Sequence, residues 1–131
     1  MTGTHRDTIC RLLVEVGDGC AKLMDEQMRD LRCRRIEVDE IWAYVGKKQR
    51  HMTPRDDPRR FGDRYTFVAL EPETKLVPAY CIGKRDLPTA TAFITDLSER
   101  LANRVQLSSD TLAVTLRQPS KPSARMSITA N

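Results

Sequence analysis

Two carboxylates stand where metal-dependent phosphate chemistry would need them. Asp39 lies among Ile36, Val38, Ile41 and Trp42, and Asp110 ends the short stretch Val105-Gln106-Leu107-Ser108-Ser109. Burying an unpaired carboxylate in a sheet is costly. Asp39 therefore serves a purpose there or sits on a solvated strand face. Asp110 alone reads as a cap or turn residue. As a pair they suit Mg²⁺, which takes one or two carboxylates together with waters and phosphates. Two such ions about 3.5–4 Å apart activate a water or 3′-hydroxyl and stabilise a leaving oxygen. That is the chemistry of phosphodiester cleavage and strand transfer. Asp39 and Asp110 are thus the candidate catalytic and metal-ligating residues. Glu40 is left out, because alternate strand side chains point to opposite faces.

A second group is basic. The polar stretch 47–63 is long for a loop inside a domain, and such loops are functional or disordered. Over residues 47–64, Lys47, Lys48, Arg50, Arg55, Arg59, Arg60 and Arg64 stand against only Asp56, Asp57 and Asp63. The cations suit backbone phosphates, a salt-sensitive interaction, or they form a solvated loop. Trp42 reads as a packing residue.

The elements that must position these groups follow from periodicity. Thr4 and Asp7 suggest a helix start, and Ile9, Leu12, Leu13 and Val16 repeat at helical spacing. Gly17 and Gly19 are expected to weaken or break that helix before a second periodic stretch of Ala21, Leu23, Met24 and Met28. Residues 35–46, rich in Ile, Val, Trp and Tyr, predict a strand. Strands over 64–70 and 76–82, joined by the turn at 71–74, predict an antiparallel hairpin. Pro78 cannot donate to a ladder, which places the third strand at a sheet edge. Asp86 and Pro88 announce a helix whose stripe is Ala90, Phe93, Ile94, Leu97 and Leu101. A fourth strand over 105–109 follows. The expected architecture is α/β: a mixed sheet of three antiparallel strands, a helix and a fourth strand, after a helical stub. That order also opens the ribonuclease-H-like fold, in which strands one and four lie side by side.

Composition narrows the class. The chain has 131 residues, 40% hydrophobic and 31% charged, with a net charge of +4. These values exclude collagen-like, disulfide-scaffold and fully disordered chains. The apolar runs fall short of the roughly 18 residues of a membrane span, and the N-terminus has no secretory h-region. A cytoplasmic protein without membrane association is expected. Residues 1–34 are charge-balanced, whereas 111–131 hold three basic residues and none acidic. That tail, rich in Ala, Ser, Thr and Pro, is expected to be largely disordered. Three regions result: a helical stub over 1–34, a partial catalytic domain over 35–110 and the tail over 111–131. Cys10, Cys20, Cys33 and Cys81 lack metal or redox spacing and read as small apolar side chains.

The stretch Val38-Asp39-Glu40-Ile41-Trp42-Ala43-Tyr44-Val45-Gly46-Lys47-Lys48-Gln49 resembles the first-aspartate motif of bacterial insertion-sequence DDE transposases of the IS-one type. Residues 65–70, 74–78 and 83–85 also resemble that family. So does Asn103-Arg104-Val105-Gln106-Leu107-Ser108-Ser109-Asp110, its second-aspartate motif. The resemblance covers residues 2–110. It implies a ribonuclease-H-like domain, Mg²⁺ at Asp39 and Asp110, and DNA transposition at insertion-sequence ends. It also makes a further copy, or a full-length transposase, a candidate partner. Residues 2–9 resemble the turn and start of that family's recognition helix, which implies base contacts from His5, Arg6 and Thr8. An ordinary amphipathic helix is the competing reading. The family uses a third carboxylate, a Glu well after the second aspartate, and no Asp or Glu follows Asp110 here. The departure implies a truncated or frameshifted, inactive transposase, or a non-enzymatic DNA-binding or inhibitory fragment.

Overall fold

The computed structural model describes residues 3–109 and the backbone pairing of 127–130. Its elements are α1 (Arg6–Gln27), β1 (Arg35–Val45), β2 (Gly62–Leu70), β3 (Ala79–Gly83), α2 (Leu87–Arg100), β4 (Gln106–Ser109) and β5 (Ser127–Ala130). The sheet order is β3-β2-β1-β4-β5. β2 runs antiparallel to both neighbours, while β1–β4 and β4–β5 are parallel. The expected mixed α/β sheet is observed, with β3 at its edge. Pro78 is buried just before β3, where its missing N–H costs no ladder bond.

One face of the sheet is packed. Ile36 and Val38 of β1, Phe67 and Ala69 of β2, Ala79 of β3 and Leu107 of β4 meet Phe93, Ile94 and Leu97 of α2. The Phe67 and Phe93 rings stand 5.9 Å apart, tilted by 34°. α2 lies where the apolar stripe predicts, and Asp86 caps it by accepting from the Thr89 N–H at 3.0 Å. The Thr89 hydroxyl and N–H hold the Asp86 carboxyl below its usual range. On the opposite face Asp39, Ile41, Tyr80 and Ile82 are exposed.

α1 departs from expectation. It runs unbroken through Gly17 and Gly19. Each glycine costs a helix about 1 kcal/mol relative to alanine, which weakens it without ending it. Its cap is His5 rather than Thr4: the His5 Nδ1 accepts from the Asp7 N–H at 3.3 Å. None of its residues is buried. Its C-terminal end is tied to α2, because the Arg100 guanidinium donates to the Met24 carbonyl at 2.9 Å and pairs with Asp25 at 3.3 Å. The next segment continues the tie, as Leu31 bridges Leu101 through Leu31 N–H to Arg100 and Ala102 N–H to Leu31.

The tail expectation changes in one place. Ser127–Ala130 extends the sheet beside β4. A β4 edge offers unpaired N–H and C=O groups, and Ile128 and Thr129 are β-branched residues that suit a strand. Residues 110–126, including Asp110, lie outside the described residues. All four cysteines are free; Cys33 is buried and Cys81 half-buried, but Cys10 and Cys20 are exposed on α1 and do not fill a core.

Candidate functional site

Strand alternation separates Asp39 from its neighbour Glu40 on β1. Glu40 points to the packed face, where its carboxylate meets Arg85 Nε at 3.0 Å. Asp39 points to the open face beside Val68 of β2, its register partner. The Glu40 N–H donates to Asp39 Oδ1 at 2.7 Å. Asp39 is thus a solvated carboxylate, not a buried one, and the desolvation cost weighed from the sequence does not arise.

The parallel pairing of β1 with β4 is the main geometric result. It runs from Arg35 with Gln106 to Val38 with Ser109. The residues next in sequence after this last pair are Asp39 and Asp110. Asp110 itself is not among the described residues, so the described site supplies one of the two expected carboxylates. A hard cation accepts such a donor: an exposed carboxylate suits an ion that keeps several waters. Among the described residues, no group of three or more His, Cys, Asp or Glu gathers.

The basic loop is ordered. It contains a 3-10 turn, Gln49–His51, and successive turns before β2. Its three acids are used internally. Asp56 accepts from Lys47 Nζ at 2.6 Å and from the Thr53 N–H and hydroxyl, each at 2.8 Å. The Lys47 ammonium and then Thr53 hold its carboxyl at about 2. Asp57 accepts from the Arg59 N–H, and Asp63 from the Gln49 N–H, both at 2.8 Å. That Gln49 bond, and beyond it the Trp42 side chain, Lys84 and Lys48, lower the Asp63 carboxyl. Arg64 turns inward to the carbonyls of Arg59, Phe61 and Asp63. Gly62 adopts φ +93°, and a methyl group there would overlap Gln49 and Met52.

The expected DNA-contacting residues therefore divide. Arg50, Arg59 and Arg60 are exposed, as is Arg55, and none has a side-chain partner among the described residues. Lys47 is committed to Asp56. Lys48 stands over the Trp42 and Tyr44 rings, 5.3 and 5.6 Å from their centroids. His5, Arg6 and Thr8 are exposed at the N-terminus of α1, but His5 is engaged as the cap and Arg6 lies 3.5 Å from Asp7. A helix of this length spans about 33 Å, and its ties to α2 are at the far end. The loop cations thus share one stretch of chain, and among the described residues no side-chain contact joins them to His5, Arg6 or Thr8. Sequence reasoning missed Trp42 and Tyr44 as surface groups; they are 45% and 48% exposed. Their spacing of two, next to a lysine-rich turn, was the available signal.

No family model and no curated protein matches the chain. No helix among the described residues is long and apolar enough to cross a membrane.

Proposed function

We propose that this chain carries part of a DNA-transposing domain of the IS-one insertion-sequence type, with a ribonuclease-H-like sheet and with Asp39 and Asp110 as its first two carboxylates. The observation that carries the reading is the register: β1 and β4 run parallel and adjacent, and their last pair is followed in sequence by these two aspartates. The strand order, with β2 alone antiparallel to the rest, agrees with that fold. The open face leaves room for a phosphate backbone at Asp39. The unpaired cations of the loop offer sequence-independent attraction to it.

Asp39 and Asp110 would hold Mg²⁺, which when bound supplies charge neutralisation and activation of an attacking oxygen. The chain's own contribution is positional. Ile36 and Val38 anchor β1 in the core, which fixes the strand from which Asp39 projects. The 131 residues carry two of the three acids this chemistry uses in that family, so DNA binding without cleavage is expected of the polypeptide as it stands.

The test is an assay of binding and Mg²⁺-dependent cleavage on insertion-end DNA. Binding that weakens steeply between 50 and about 200 mM salt supports phosphate contacts. Salt-insensitive binding, or none at low salt, refutes them. Robust cleavage that Asp39→Asn abolishes would replace the inactive reading with an active enzyme.

A further inference from the structure

Trp42 and Tyr44 are two residues apart on β1 and so leave the same face of the strand. Farther back along that face, Ile36 and Val38 are covered by α2, whereas the two rings are about half exposed. Their centroids lie 5.9 Å apart with planes tilted by 39°. Asp63, the register partner of Tyr44 on β2, is fixed by the Gln49 N–H at 2.8 Å. The loop that carries the cations thus meets the strand end where the two rings emerge. Lys48, from the same loop, rests over both rings and forms no ion pair among the described residues.

We propose that Trp42, Tyr44 and Lys48 form a stacking site for an unpaired nucleobase of single-stranded DNA. Large aromatic faces held in place and left in water lose little on receiving a base, and such stacking tolerates any base. Bases inside a duplex already stack on each other, so an unpaired nucleotide is the fitting occupant. Lys48 occupies the ring faces in the free protein. A base that takes its seat leaves the ammonium free to meet the phosphate of the same nucleotide. Arg50, Arg55, Arg59 and Arg60, exposed on the same loop, supply the charge complementarity for neighbouring phosphates. Trp42 lies three residues from Asp39, about 10 Å along the strand and on the other face. The stacked nucleotide is therefore not the one at Asp39. The site takes the polymer's identity from the function proposed above, but its test does not depend on Asp39.

The chain has one tryptophan, so its fluorescence reports this site alone. Titrating the full 131-residue chain with oligo(dT) is expected to quench Trp42 emission saturably. A blunt duplex and an abasic oligomer of equal charge should quench far less. Tyr44→Ala should weaken oligo(dT) binding about tenfold, as expected for a lost stacking partner, and Tyr44→Phe should restore it. Circular dichroism of both variants checks that the sheet is kept. Lys48→Gln should reduce the salt slope by about one. Equal quenching by the abasic oligomer, or oligo(dT) binding (read by anisotropy of a labelled strand) without quenching, overturns the stacking site and leaves the proposed DNA function standing. Failure to bind any oligonucleotide overturns both.

Discussion

The two faces of the sheet are built by the same strands and have opposite fates. On β1, Ile36 and Val38 are sealed under α2, while Asp39, one position on, stands in water. On β3, Ala79 is buried and Tyr80 and Ile82 are exposed. A period of two lets one strand spend alternate residues on cohesion and on surface chemistry. The packed face is governed by volume, whereas the open face leaves its side chains in water, and a substitution should be felt accordingly.

The largest contrast comes from the core. Leu97 is fully buried against the packed face, so Leu97→Ala should cost about 2–5 kcal/mol by urea denaturation. Ile82→Ser, on the open face at 64% exposure, should change stability by no more than about 0.5 kcal/mol. A cost at Ile82 approaching that at Leu97 would show that the open face is covered in solution.

Next in size is Arg100. Its side chain reaches Asp96 at 2.9 Å within α2 as well as Met24 and Asp25 of α1. Arg100→Met should cost about 1.5–3 kcal/mol, the range of charge-assisted hydrogen bonds. Amide hydrogen exchange should quicken mainly in the last turns of α1. Uniform loss of protection across the sheet would instead make Arg100 part of the core.

Smaller still is the cap of α2. Asp86→Ala should cost about 1 kcal/mol, whereas Asp39→Asn should fall within about 0.5 kcal/mol because, among the described residues, Asp39 is exposed and accepts its neighbour's N–H. Equal costs would mean that Asp39 has a structural duty as well.

The smallest effect is confined to the loop. Asp56 is held at about 2 in the folded chain, below its ordinary 3.8. Its bracing is complete above that ordinary value and is lost as pH falls through about 2. The Thr53 amide signal should follow that titration by NMR while the core amides of α2 hardly move. A Thr53 shift already complete above pH 4 would contradict the Asp56 contacts.

Much of the fold was legible in the residues. The stripe from Ala90 to Leu97 and the Asp86 cap gave α2, and the runs around Val38, Phe67 and Cys81 gave three strands near their observed bounds. The continuity of α1 was not legible. Two glycines signal a break locally, yet the helix persists, with Met24 and Asp25 tied to Arg100, 75 or more residues away in sequence. The pairing of Ser127–Ala130 was equally hidden, because a four-residue strand is specified by the edge that receives it. The site was legible as residue types, Asp39 beside a basic loop. Which cations are unpaired was not, since that depends on Asp56, Asp57 and Asp63 folding back onto their own loop.

The sequence by itself determined the alternation that sends Asp39 and Glu40 to opposite faces, and the apolar stripe that makes α2 a cover. Both are properties of local periodicity, carried by neighbouring residues. Only the tertiary structure decided that the Asp39 face is left open, that β4 lies parallel to β1 with Ser109 opposite Val38, and that Trp42 and Tyr44 emerge beside Lys48. Those outcomes depend on which distant segments meet, and on where the cover supplied by α2 ends.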